Sequence, residues 1–145
     1  MVAITIASEY GYVIATGIAS SLMVTYLGIK VGGARKAAQI PYPYMYAEKS
    51  ESEKDHKKNV FNCTQRAHQN TLEGYPMFLT LLFTGGISAP VVSAAAGVVW
   101  ILGKIVYAQG YSTGVPSKRQ RGSFGYLGLL TLLYTSGLSA YNLLN

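Results

Sequence analysis

Three stretches of the chain carry no charged residue: Tyr10–Ile29, Gly74–Gly103 and Gly122–Asn145, of 20, 30 and 24 residues. About 20 consecutive apolar residues suffice to cross a bilayer as an α-helix, so the first and third stretches each predict one crossing. The middle one is too long for one untilted crossing and too short for two. It is interrupted at Gly85-Gly86-Ile87-Ser88-Ala89-Pro90, where two helix breakers and a proline bracket a tight turn. Two helices then require the earlier one to begin around Phe61 to Arg66. The pattern predicts four crossings, at about 9–30, 62–87, 90–111 and 122–144, with a loop over 31–61. Residues 1–145 are thus expected to form a single all-α, four-helix integral membrane domain.

Composition supports that solvent. Only 12% of residues are charged and 50% are hydrophobic, whereas a soluble domain of ordinary make-up is about 25% charged. So little charge would leave large apolar patches facing water, which excludes a soluble globular protein. Cys63 is the sole cysteine, which excludes a disulfide scaffold.

Net charge is +6, a value that in a soluble protein would point to nucleic acid. Here the cations lie between the apolar runs, and no nucleic-acid partner is expected. Lys30, Arg35, Lys36, Lys49, Lys54, Lys57, Lys58 and Arg66 fall between the first run and the second. Lys118, Arg119 and Arg121 fall before the last run, and Lys104 alone interrupts an apolar stretch. With four crossings, eleven of the twelve cations share one face, the cytosolic face by the positive-inside rule. Glu9 precedes the first run and the cations follow it, the reverse of a secretory signal, so the run is expected to be an uncleaved anchor. The mixed-charge tract AEKSESEKDHKKN (47–59) has no apolar periodicity and is expected to be a solvated loop.

Charge is expensive within a membrane, at ~2.5–3.5 kcal/mol for mid-bilayer insertion, so Glu73 and Lys104 invite a functional reading. Arg66, Asn70 and Glu73 are spaced i, i+4, i+7 and share one strip of the second helix. Arginine can grip a carboxylate bidentately, asparagine offers donor and acceptor, and glutamate accepts from an ammonium, so the strip suits a zwitterion. An internal Arg66–Glu73 ion pair with Asn70 joining two helices is the alternative. On the third helix Trp100, Lys104, Tyr107 and Tyr111 share a strip. These tyrosines either line a polar pocket or belong to an interfacial belt, and Lys104 either joins them or snorkels to the interface. Gly11, Ala15 and Ala19 form a small-residue ridge that predicts helix packing. His68 and Cys63 lack the partners of a metal site, and no metal is expected.

Three segments, FNCTQRAHQNTLEGYP (61–76), VYAQGYSTGVPSKRQRG (106–122) and GGARKAAQIPYPYMY (32–46), resemble the MAPEG superfamily, membrane-associated proteins in eicosanoid and glutathione metabolism. The likeness runs through the chain in order, and RAHQNTLE paired with GYSTGVPSKR is a specific combination. The resemblance implies a homotrimer of four-helix subunits that binds glutathione as co-substrate between neighbours near the cytosolic face. It implies that Arg66, Asn70 and Glu73 contact glutathione, that Arg35 meets its carboxylates, and that Tyr107 and Tyr111 line the site. Lys104, Lys118 and Arg121 are further candidates for binding it. Two departures stand out. Some relatives place a tyrosine directly after the glutamate, where this chain has Gly74 and then Tyr75. Those relatives activate the thiol with an arginine seven residues beyond the second tyrosine, a count that lands on Lys118 with Arg119 next; Arg119 is the expected activator, with Tyr111 beside it.

The implied activity is conjugation of the glutathione thiolate to lipophilic electrophiles, with reduction of lipid hydroperoxides and a leukotriene-synthase-like reaction as extensions. A non-catalytic lipid-binding scaffold of the lipoxygenase-activating type is the alternative. The expected membrane is the endoplasmic reticulum, or else the mitochondrial outer membrane.

Overall fold

A computed structural model describes residues 5–145. Its elements in chain order are α1 (Tyr10–Ala38), α2 (Lys49–Ser52), α3 (His56–Ser88), α4 (Pro90–Tyr111), a 3-10 turn (Pro116–Gly122) and α5 (Gly125–Leu144). No strand occurs among the described residues.

The third predicted helix, 90–111, matches α4, because Pro90 sits at a first helical position that needs no N–H donor. The other boundaries move. α1 continues past residue 30 through Gly32-Gly33 to Ala38, since no proline interrupts Val31–Ala38 and Arg35 and Lys36 complement the dipole at its carbonyl end. It stops at Gln39, whose φ of 55° is left-handed and whose N–H turns back to the Arg35 and Lys36 carbonyls. α3 begins at His56 rather than 62, because the Asp55 carboxylate accepts the Lys57 N–H at 2.9 Å and caps the helix. Much of the loop expected over 31–61, including part of the tract 47–59 expected to be solvated, is therefore helix. α5 starts at Gly125, and the residues before it tighten into the 3-10 turn.

α3 lies at the centre, packed against α1, α4 and α5. The α1 face that meets it is Val13, Thr16, Gly17, Ser20, Met23, Leu27 and Val31, the three-and-four spacing of one helix stripe. Gly11, Ala15 and Ala19 instead face outward, and a methyl added at Gly11 would meet nothing within 4 Å. That ridge is not used within the chain, because Gly17 and Ser20 already supply the close approach. Phe78 and Trp100 stack in the core with centroids 3.8 Å apart. At the end away from the cations, hydroxyls join the helices: Thr84 to Ser136 at 2.9 Å and Ser93 to Thr135 at 3.0 Å.

Glycine sets how closely α4 meets the segment that follows it. A side chain at Gly110 would fall on the Lys118 carbonyl, one at Gly122 on the Gly103 carbonyl, and one at Gly128 on the Ala96 carbonyl. The 3-10 turn is thereby pressed against the end of α4. Outside this core the helices present Ile14, Ile18, Leu22, Leu102, Leu127 and Leu130, all exposed. Among the described residues three helices, α1, α4 and α5, are long and apolar enough to cross a membrane. α3 has the length, at 33 residues, but spends part of its surface on polar side chains turned toward its neighbours.

Candidate functional site

The polar strip on α3 and the strip on α4 meet at the basic end of the bundle. Asn70 Oδ1 accepts a hydrogen bond from Lys104 Nζ at 3.0 Å. Lys104 thus turns inward rather than snorkelling to the helix end, and its ammonium also lies 5.2 Å from the Tyr107 ring centre and 5.6 Å from that of Trp100. Arg66 and Glu73 form a bidentate pair, with Nη1 to Oε1 at 2.8 Å and Nη2 to Oε2 at 3.3 Å. The i, i+7 spacing, two helical turns, allows this fork to close along one helix face.

These strips border a cavity of about 510 Å³, within the roughly 300–1,000 Å³ usual for small-molecule sites. Asn70, Glu73, Lys104, Tyr107, Arg119, Gln120 and Ser123 make its polar wall, and Met77, Trp100, Tyr126 and Leu129 its apolar one. The close approach at Gly110 and Gly122 brings the 3-10 turn, and with it Arg119, to the mouth. Arg119 Nη1 donates to the Pro116 carbonyl at 2.9 Å, and its guanidinium lies 5.6 Å from the Tyr111 ring centre. Tyr111 in turn meets Tyr107 edge to face at 5.7 Å.

Of the three clustered cations, Arg119 lines the cavity, whereas Lys118 and Arg121 do not. Arg66 and Tyr111 stand just behind the wall, holding Glu73 and Arg119 respectively. Arg35 is elsewhere. It is buried, donates to the Tyr44 carbonyl at 2.6 Å, and stacks between the Tyr42 and Phe61 rings at 4.5 and 4.8 Å. It latches the chain after α1, helped by Asn62, which exchanges hydrogen bonds with the Ala47 backbone.

Several residues around the site carry no signal in sequence. Tyr126, Gln120 and Ser123 line the cavity although no periodicity links α5 to α3. Tyr46 donates to Gln69 Oε1. Partial burial there raises the Tyr46 hydroxyl above the ordinary phenol value, against the pull of nearby Arg66. Tyr75 points away from the cavity, its hydroxyl 2.8 Å from that of Ser20 and 3.1 Å from that of Ser21. Gly74 lines the cavity, with open space where a side chain would stand, so the glycine after the glutamate widens the site.

A helical bundle with a lipid-compatible exterior and a half-polar, cation-lined cavity at one end defines a membrane protein with room for a small molecule. Comparison with known proteins narrows this. Residues 13–141 match the MAPEG family, and the chain belongs to it. It is 33% identical over 129 residues to microsomal glutathione S-transferase 2 of Homo sapiens, covering 86% of this chain and 80% of that protein. The Bos taurus and Mus musculus proteins of the same name are 31% and 30% identical over 128 residues, each covered over 80% of its length.

Proposed function

We propose that this chain is a membrane glutathione transferase, in which the cavity between α3, α4 and the 3-10 turn binds glutathione and Arg119 stabilises its thiolate. The observation that carries this reading is the convergence of Asn70, Glu73, Lys104, Tyr107 and Arg119 on one cavity of suitable size, in a family whose relatives bear that name.

The site holds its polar groups ready but satisfied. Glu73 is paired with Arg66 and Asn70 with Lys104. An incoming zwitterion exchanges these bonds for its own: the ligand's ammonium for Arg66 at Glu73, and its carboxylates for Glu73 or Asn70 at Arg66 and Lys104. Exchange costs little beyond reorientation, because no charge is left unpaired. A free thiol with pKa of about 8.5 is roughly 3% ionised at pH 7. A guanidinium within ~4–6 Å that lowers the value to about 7 makes half of it thiolate. Arginine suits that task because it stays charged in a partly dry site. The thiolate then attacks an electrophilic carbon, forming a thioether and expelling halide or opening an epoxide. The wall of Met77, Trp100 and Leu129 offers the electrophile an apolar berth.

The finer assignments belong to the same proposal. The chain resembles microsomal glutathione S-transferase 3 in its RAHQNTLE and GYSTGVPSKR segments, and its electrophiles are lipophilic, with lipid hydroperoxides and epoxide eicosanoids among the candidates. α3 crosses the bilayer with α1, α4 and α5, so that the basic loops face the cytosol. The subunit assembles as a homotrimer, in which Arg35 of one subunit can approach its neighbour's site. The membrane is that of the endoplasmic reticulum, or the mitochondrial outer membrane.

The test is turnover by the purified chain of an aryl halide, a fatty-acid hydroperoxide and an epoxide eicosanoid, alongside equilibrium dialysis with glutathione. Conjugation of at least one is expected. Glutathione binding without any turnover would make the protein a scaffold, and no binding would overturn the site.

A further inference from the structure

A second cavity, of about 210 Å³, opens between α1, α3 and α4. It shares no lining residue with the first. Lys30, His68, Gln109 and Ser112 line it, over an apolar floor that includes Leu27 and Ile105. Among the described residues, none of these four polar side chains has a hydrogen-bond partner, whereas the neighbouring Thr64 hydroxyl is committed to the Val60 carbonyl at 2.8 Å. Each of the four can donate, and no carboxylate lines the cavity. An oxyanion placed there would meet a cation and up to three neutral donors at once.

Size and depth narrow the ligand. The volume falls below the roughly 300–1,000 Å³ that encloses a whole small molecule, so the cavity takes a headgroup rather than a complete ligand. Lys30 is the first charge after the 20-residue uncharged run of α1, which puts it where the hydrocarbon layer ends and lipid headgroups begin. Its ammonium lies 5.9 Å from the Tyr26 ring centre. Leu22 and Ile29 are exposed on the same helix, 66% and 69% open, an apolar flank along which acyl chains can lie.

We propose that this cavity binds the anionic headgroup of an acidic membrane lipid, through Lys30, His68, Gln109 and Ser112, at a site separate from the glutathione cavity. The bound lipid would brace α1 against α4 across α3.

Native mass spectrometry of the delipidated full chain tests this, with phosphatidic acid, phosphatidylcholine or inorganic phosphate added in turn. Phosphatidic acid is expected to be retained over phosphatidylcholine. Lys30→Gln should weaken that retention about fivefold, the effect of one lysine on an anionic lipid. Gln109→Leu, which changes no charge, should weaken it as well. Lys57→Gln, an exposed lysine outside the cavity, should leave it unchanged. Turnover with glutathione should persist in Lys30→Gln, so the lipid site and the transferase reading can fail separately. Equal retention of phosphatidylcholine, or an equal loss in Lys57→Gln, would reduce the effect to diffuse surface attraction and overturn the site. Displacement of the lipid by equimolar inorganic phosphate would overturn the lipid assignment in favour of a free oxyanion.

Discussion

At the scale of single residues, Arg119 and Lys104 do opposite things with similar charge. Arg119 spends one N–H on the Pro116 carbonyl and keeps the remainder of its fork at the cavity. Arg119→Ala should therefore lower turnover at pH 7 about 16-fold, the ratio of half-ionised to roughly 3% ionised thiol when the pKa returns from about 7 to 8.5, while glutathione affinity changes little. Thiolate absorbance on mixing with glutathione gives the reading, and undiminished absorbance in the variant rules Arg119 out as activator. Lys104 is half-buried and held by Asn70. Asn70→Leu strands that ammonium and should cost about 1–3 kcal/mol of stability in detergent, and adding Lys104→Met should recover part of it. Additive losses in that double-mutant cycle would show that the bond carries no coupling. The α3 strip was legible in sequence because helical periodicity alone puts Arg66, Asn70 and Glu73 on one face. Which of Lys118, Arg119 and Arg121 points inward was not, because a 3-10 turn aims successive side chains by its own pitch and by what it packs on.

Among the elements, the contact between α4 and the segment after it decides whether the site exists at all. Gly110 carries the Lys118 carbonyl against its bare Cα. Gly110→Ala should push the 3-10 turn away, costing about 1–3 kcal/mol by overpacking and lowering turnover with it as Arg119 leaves the cavity. Gly137→Ala is the control: it faces open space on α5 and should be neutral to about 1 kcal/mol stabilising, since alanine is the better helix former. Thermal unfolding and turnover measured together separate the two, and a Gly110→Ala protein with unchanged activity would show that the turn does not aim Arg119. The break before Pro90 was readable because proline's missing N–H is a local fact. The ends of α1 and α3 were not. Hydropathy marks where the lipid stops, whereas a helix stops where its caps are, at Gln39 and Asp55.

For the whole molecule, the outward ridge of Gly11, Ala15 and Ala19 is available to a neighbour, because the chain itself leaves it unpacked. If the proposed trimer uses it, Ala15→Phe should shift the protein from three copies to fewer in native mass spectrometry, while leaving helix content unchanged. A trimer indifferent to Ala15→Phe would place the contact on another face. The exposed apolar surface of α1, α4 and α5 follows directly from three uncharged runs, since such runs have no stable place in water. The solvent, the helical class and the polar strip on α3 were therefore determined by the sequence itself, because each follows from local composition or a single helical period. The partners of Lys104, the inward turn of Arg119, the latch at Arg35 and the existence of two separate cavities depended on the fold. Each joins residues far apart in the chain, and the glycine contacts that set their distances have meaning only once two backbones touch.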